Sequence, residues 1–577
     1  MKKNIRLMTL CLFILLVLIK GSGAASRIQV TVDGVEGDVK QNVLSFLEIE
    51  QQKDFEGLSD YFIHELHEKA PDEIRSALQP FGYYNPHIKS SLELVEGTWH
   101  ATYGIDKGEP VVVREFDFRI TGEGTDDTIF KKSPLKKGDI FRHEAYEDGK
   151  QRLQQAALVN GYFNAVLTGH GVRVYPDENA ADVMIHFDTG PRYLFGDVIF
   201  THQDILRPEF LQRFVPFRKG SPYSTASIFQ LRNSLRASGY FSEIEVQALN
   251  NEAEGREIPV KVTLVPAKRN RYSFGVGYGT DTGVRGSVGW EDRYINRQGH
   301  KMNAELRLSE IEENLATRYI IPLKKPETEH LDFTAGWARH HSLTVDRESV
   351  LAGAGLNHAW KSWTRTVYLN FQHENFDVAD QSGRTFLLLP GFTLTRVVAD
   401  NRIYTTRGSR IVLDVKGAHT ALLSDVSLLQ AVVQGKLIYG IGDSGRSIFR
   451  GKAGSTAVKG FGDLPASLRF FAGGDQSVRG YAYNTLGPVN DDGDVIGGRH
   501  ILEGSAEYEQ KITGTWGAAV FYDIGNAFNT LTEPFKQGTG VGVRWHSPVG
   551  LVRLDFAHAL EKTGTSWRIH ISIGPDL

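Results

Sequence analysis

The chain has 577 residues, more than one ordinary core accommodates, so several domains are expected. A net charge of -4, with charged residues at 23%, gives no electrostatic footprint for a nucleic-acid partner. The single cysteine, Cys11, excludes a disulfide scaffold, a cysteine-based zinc site and a thiolate enzyme.

The first element is a leader. Lys2, Lys3 and Arg6 precede the apolar run Leu7 to Ile19, and Gly21-Ser22-Gly23-Ala24-Ala25 follows with small residues. A basic stretch, a short apolar core and a small-residue cleavage site predict a signal peptide over 1–25, cut after Ala24 or Ala25. A run of about 13 residues falls short of the ~20 that span a bilayer as a helix. Leu10 stands where a lipidated cysteine wants a small residue before it. The mature chain is therefore exported and free of cysteine.

Three repeats come next. Gly82-Tyr83-Tyr84-Asn85 recurs as Gly161-Tyr162-Phe163-Asn164 and as Gly239-Tyr240-Phe241-Ser242, 79 and then 78 residues apart. Each motif follows an amphipathic helix, read as 71–79, 143–159 and 224–237. Each glycine suits a left-handed C-cap, and each aromatic pair opens a strand. Alternating strands follow, as in Asp182 to Phe187 and Pro259 to Val265. Lys137-Gly138 is echoed by Lys219-Gly220, and Gly108-Glu109-Pro110 by Gly190-Pro191. The units read β-α-α-β-β over 26–106, 107–190 and 191–267. This pattern resembles the POTRA (polypeptide-transport-associated) domain. The resemblance implies a periplasmic arm that receives unfolded chains by strand addition at an exposed sheet edge, whose unpaired N–H and C=O groups accept any sequence.

From 268 to 577 the period changes to two, with turns of Gly, Asp, Asn and Pro. Trp567, Ile569, Ile571 and Ile573 alternate with Arg568, His570 and Ser572, and Ile411, Leu413 and Val415 alternate with Arg410, Asp414 and Lys416. Strands with one apolar and one charged face, in an exported chain without cysteine, predict an outer-membrane β-barrel. Sixteen antiparallel strands are expected, at 271–279, 284–293, 299–310, 313–321, 330–340, 350–361, 364–376, 385–398, 408–418, 426–440, 446–457, 499–512, 515–523, 538–547, 549–558 and 566–574. An even count suits a bacterial barrel.

An insertion at 458–498 separates the eleventh and twelfth strands and is too long for an idle connection. It contains Val478-Arg479-Gly480-Tyr481 and closes on Gly497-Gly498. On the twelfth strand Glu503, Ser505, Glu507 and Glu509 share the polar face. On the thirteenth, Trp516, Ala518, Val520 and Tyr522 take the apolar face, which turns Phe521 and Asp523 inward. The loop is expected to fold into the lumen and set the Arg479 guanidinium against Asp523 and Glu503, with Phe521 beside it. Gly480 would permit close approach to the wall. The seam between the first and last strands is a second candidate. Gly275, Gly277 and Gly279 weaken the first strand near Tyr272, and Gly574-Pro575 ends the last strand after Trp567, Ile569 and Ile571.

Val-Arg-Gly-Tyr, a Gly-Gly pair opening a strand and Phe-x-Asp, in order behind POTRA-like repeats, resemble the BamA/TamA superfamily of outer-membrane β-barrel insertases. Three repeats correspond to its TamA-like branch. The resemblance implies an outer-membrane location with periplasmic POTRA domains and a TamB-like partner anchored in the inner membrane. It also implies unfolded outer-membrane protein clients such as autotransporters, and contact with outer-membrane lipid. Two other readings stand beside assembly: a passive anchor for a bridge delivering phospholipid, and a two-partner-secretion-type pore. The sequence has no Gly-x-Ser-x-Gly elbow, P-loop or His-Glu-x-x-His, so neither an enzyme nor a cofactor or metal is expected. His340-His341 reads as a surface pair.

Overall fold

A computed structural model describes residues 27–574, apart from 56, 203, 402–403, 548–549 and 562–566. The expected signal peptide, Cys11 and Pro575 lie outside the described residues.

The first module runs β1 (Arg27–Asp33), α1 (Gly37–Phe46), α2 (Glu48–Gln51), α3 (Asp60–Leu78), β2 (His87–Val95) and β3 (Thr98–Asp106). Helix α3 starts where the Ser59 hydroxyl accepts the Phe62 N–H at 3.3 Å. It buries Ile63, Leu66, Ala70, Ile74 and Ala77, a stripe at helical spacing, against Tyr103 and Trp99. The helix thus begins eleven residues before the expected start at Pro71. Proline favours a first turn, but an apolar face continuing through it outweighs that preference.

The second module runs β4 (Val112–Thr121), α4 (His143–Val159), β5 (Val166–Tyr175) and β6 (Ala180–Asp188). Its expected first helix is only a 3-10 turn, Glu123–Asp126. Gly122, Gly124, Pro134 and Gly138 break the stretch, and the Gly124 N–H is satisfied instead by the Thr189 hydroxyl at 2.9 Å. The third module runs β7 (Leu194–Thr201), α5 (Pro208–Leu211), α6 (Thr225–Ser238), β8 (Phe241–Ala248) and β9 (Glu257–Pro266). Each module carries a three-stranded sheet, in the orders β1-β3-β2, β4-β6-β5 and β7-β9-β8. The last strand is central, so β2, β5 and β8 each lie at one edge, while at the other edge β4 and β7 are partly covered by the bridges Val112–Ile140 and Leu194–Pro222. Edge β5 is bulged between Leu167 and Gly169, and β8 between Phe241 and Glu243, whereas β2 pairs evenly from His87 to Val95.

Sixteen antiparallel strands then pair in chain order and close. They are β10 (Asn270–Gly279), β11 (Gly283–Asp292), β12 (Lys301–Leu308), β13 (Glu312–Pro322), β14 (Glu329–His341), β15 (Asp346–Trp360), β16 (Trp363–Val378) and β17 (Gln381–Ala399), followed by β18 (Gly408–Ala418), β19 (Leu428–Ile441), β20 (Gly445–Val458), β21 (His500–Thr513), β22 (Trp516–Phe528), β23 (Lys536–Ser547), β24 (Gly550–Ala559) and β25 (Trp567–Gly574). Apolar side chains such as Val433, Leu437, Val520 and Val541 face outward, exposed, in the alternation expected of a lipid-facing wall. Among the described residues no helix is long and apolar enough to cross a membrane. His340 is buried beside Tyr483 rather than lying on the surface, because its parity on β14 points it inward; its neighbour His341 is exposed and meets Asp346 at 3.0 Å.

Candidate functional site

The repeated Gly-aromatic motifs sit at joints. Gly82, Gly161 and Gly239 all hold positive φ, at 92°, 86° and 73°. The Gly82 carbonyl accepts the Val111 N–H at the start of the second module, and the Gly161 carbonyl accepts the Tyr193 N–H at the start of the third, both at 2.8 Å. The Tyr84 hydroxyl meets His143 at 2.7 Å, while Tyr83 lies under Lys107. Tyr162 is buried in the core of the second module. The Tyr240 hydroxyl donates to the Gly299 carbonyl at 2.5 Å, at the turn between β11 and β12. These motifs are therefore connectors rather than a client-binding surface.

The loop between β20 and β21 carries the main ion cluster. On β22, Trp516, Val520 and Tyr522 are exposed while Phe521 and Asp523 are buried, Asp523 completely. The Arg479 guanidinium, 2% exposed, forks onto Asp523 with Nε at 2.7 Å and Nη2 at 2.9 Å, and the Arg479 backbone N–H reaches the same carboxylate at 3.1 Å. Its Nη1 donates to Glu507 at 2.7 Å and to Asp555 at 3.0 Å. The cation lies 3.4 Å from the Phe521 ring centroid. Glu503 is not among its contacts: that carboxylate accepts the Ser477 hydroxyl instead. Glu503 is two rungs along β21 from Glu507, too far for the same guanidinium.

Sequence reasoning missed how far the cluster extends. Arg544 on β23 donates to Glu507, Glu509 and Asp555, each at 2.6 Å, and Arg446 on β20 donates to Glu509 at 2.6 Å. Arg450 lies 3.8 Å from Asp523. Four arginines thus face four carboxylates, the balance that burial of so many charges requires. A signal was available in Gly538, Gly540 and Gly542, period-two glycines on β23. A Cβ there would fall 2.0 Å from the Arg479 carbonyl oxygen, 2.5 Å from the Phe521 ring and 2.0 Å from the Asp555 carboxylate. Gly538 lets the loop backbone close on the wall, and Gly540 and Gly542 leave room for Phe521 and Asp555. Gly480, at φ 97°, packs against β24, where a Cβ would sit 2.9 Å from the Ala559 nitrogen. Val478 and Tyr481 bury beside it with Leu486 and Ala559. Gly497 and Gly498 belong to the base of the loop: they press on Phe471 and Phe528, away from the ion cluster.

The seam differs from every other strand junction. Neighbouring strands elsewhere in the barrel share from seven to sixteen residue pairs, whereas among the described residues β10 and β25 share one, Gly279 with Ser572. Thr280 and Ile571 add two hydrogen bonds of 3.3 Å. Of the expected seam residues, Tyr272, Gly275 and Gly277 pair only with β11, and Trp567, Ile569 and Gly574 only with β24. Gly279 and Ile571 reach across. The edge of β10 is consequently open, with Phe274 78% and Val276 94% exposed.

Loop and seam are physically joined. The Asp475 N–H donates to Asp281, in the turn that follows β10, and the Gly480 N–H donates to His570 Nε2 on β25 at 3.1 Å. The loop that holds Arg479 in the cluster therefore grips both sides of the one weak junction.

Comparisons with known proteins follow the same architecture. A family profile described as the Omp85 superfamily domain matches 270–576. A profile for a POTRA domain, TamA domain 1, matches 29–107, and one for the surface antigen variable number repeat matches 111–190 and 193–266. The outer membrane protein assembly factor BamA of Nitratidesulfovibrio vulgaris is 21% identical over 466 residues, covering 76% of this chain and 58% of that protein. The chloroplastic outer envelope protein 80 of Arabidopsis thaliana is 22% identical over 503 residues, covering 75% and 64%. The chain thus spans less than two thirds of the length of these relatives. A crystal structure of BamA from Haemophilus ducreyi lacking POTRA domains 1-3 shares the fold at a TM-score of 0.67 and 17% identity, covering 80% of this chain and 99% of that one.

Proposed function

The chain belongs to the Omp85 superfamily, and from that premise we propose that it is the TamA-type outer-membrane subunit of a translocation and assembly module. It inserts a subset of outer-membrane proteins, autotransporters among them, through the β10–β25 seam. The observation that carries this is the single residue pair that closes that seam among the described residues. Opening it costs little hydrogen bonding and presents two strand edges to an incoming strand. The three periplasmic modules and the TamA domain 1 match of the first support the branch assignment. The even edge of β2 is the site for client capture by strand addition, and the modules dock a TamB-like partner anchored in the inner membrane.

No energy source enters this scheme. A client gains its own strand pairing and lipid contact as it leaves, and the loop re-clasps the seam behind it. The protein is thus a catalyst of insertion rather than an enzyme of covalent chemistry.

Reconstitution tests the function. Vesicles carrying the purified full chain are expected to fold an added urea-unfolded autotransporter barrel into a protease-resistant form faster than empty vesicles do. A rate equal to that of empty vesicles, together with a stable open-channel conductance, would favour a secretion pore.

A further inference from the structure

Where loop and seam meet, one buried carboxylate makes no hydrogen bond to an arginine among the described residues. Asp281 sits in the turn between β10 and β11, with its side chain 3% exposed. Its Oδ2 accepts the Asp475 N–H, while its Oδ1 has no hydrogen-bond partner among the described residues. Gly474 permits this approach: it holds φ 112°, and a Cβ there would fall 2.5 Å from the same carboxylate. In the ion cluster, by contrast, Asp523, Glu507 and Asp555 each meet a guanidinium.

Across the seam stands His570, also buried and in register with Asp555. Its Nδ1 lies 3.9 Å from Asp281 Oδ1 and likewise has no hydrogen-bond partner among the described residues. Because Nε2 accepts the Gly480 N–H, the neutral ring carries its one proton on Nδ1. The ring then has no free lone pair. A proton taken up here without breaking the Gly480 bond therefore goes to Asp281.

The other groups around Asp281 are Asp475 and Tyr483 from the loop, Arg568 from β25, Arg285 from β11 and Glu310 from the turn after β12. Arg479 from the loop and Asp555 from β24 face the His570 ring. Burial and the neighbouring Asp475 charge outweigh the Asp475 N–H and Arg568, and push the Asp281 carboxyl up to about 6.

We infer that Asp281 is a proton-operated latch on the seam, protonated while the junction is closed and ionised once it opens. The inference rests on the lateral-opening reading above. A closed junction holds the carboxyl away from water beside a second acid, which favours its neutral form. Parting β25 from β10 admits water, so the group returns toward an ordinary ~3.9 and gives up its proton. With the closed value raised, protonation favours the closed seam fully below ~3.9, and that preference is lost as pH rises through about 6. Acid thus holds the seam shut.

Spin labels on Val276→Cys and Ile569→Cys, exposed positions on opposite sides of the junction, report its width in the purified full chain in lipid nanodiscs. No other cysteine follows the expected leader. The ratio of open to closed distances is expected to fall about tenfold from pH ~7.5 to pH ~5. Asp281→Asn is neutral and keeps an acceptor for the Asp475 N–H, so it is expected to hold the low ratio at both pH values. Asp475→Asn removes the neighbouring charge and is expected to move the midpoint to lower pH. A purely structural aspartate would leave that midpoint in place, and should Asp281→Asn fail to fold, an unmoved midpoint overturns the latch by itself. A wild-type ratio equal at both pH values, or a pH response surviving in Asp281→Asn, would overturn the latch while the seam still opens. One closed distance at every pH would overturn the latch and lateral opening together. No client is present, so the two failures are told apart.

Discussion

A disulfide joining cysteines placed at Gly279 and Ser572 is expected to reduce client assembly to the rate of vesicles lacking the protein, and reduction is expected to restore it. These two residues form the one register pair between β10 and β25, and antiparallel neighbours stand ~4.5–5.5 Å apart at Cα, within disulfide reach. The only native cysteine, Cys11, falls in the expected leader, so the introduced pair has no competitor. A matched control joins Gly277 and Arg285, already paired within the β10–β11 hairpin. Locking a junction that never opens should leave activity intact. An anchor for a lipid-delivering bridge would tolerate both locks, which makes full activity of the oxidised seam lock the outcome that supports that alternative.

Replacing Arg479 with alanine is expected to undock the loop at a cost of about 3–5 kcal/mol, the range for removing one partner of a buried ion pair. Glu507 and Asp555 keep Arg544, so the group left uncompensated is Asp523, fully buried with only Arg450 at 3.8 Å. Asp523→Asn in the alanine background should therefore recover part of the loss. Arg479→Lys keeps the charge without the fork and falls between the two. A charge swap, Arg479→Asp with Asp523→Arg, is expected to rescue little, since an acid at 479 meets Glu507 and Asp555. Heat-induced mobility shifts of the folded barrel on cold gels, with protease access to the 458–498 loop, measure both effects. Unchanged melting and loop protection in Arg479→Ala would contradict the clasp.

Much of this arrangement was legible because a barrel strand carries its own face assignment. The sixteen strands end within five residues of their expected limits, the largest difference being the thirteenth, which continues past Asp523 to Phe528. Alternation along Trp516 to Tyr522 alone turns Phe521 and Asp523 into the lumen, where a buried arginine needs a carboxylate. What period two cannot give is the register between strands. Glu507, Asp555, Arg544 and Arg446 come from four separate strands within the consecutive run β20 to β24, and the stagger of those neighbours sets them around one another. The same limit explains Glu503: it has the right face but the wrong rung. The seam glycines point to a weak first strand, whereas which residues pair across the junction depends on register with β25. In the modules, the left-handed glycines followed from local chemistry, whereas the missing helix at 123–126 and the helix running through Pro71 were decided by packing.

Site-specific photocrosslinking in living cells tests most directly whether clients leave through the seam. Probes at Tyr272 and Ile569, on opposite sides of the junction, and at Leu94 on the β2 edge sample both proposed client contacts. The expected result is adducts between seam probes and other outer-membrane barrel proteins, lost when the Gly279–Ser572 lock is oxidised. Seam probes that remain free of protein adducts while Leu94 captures only a large periplasm-spanning partner would contradict lateral insertion.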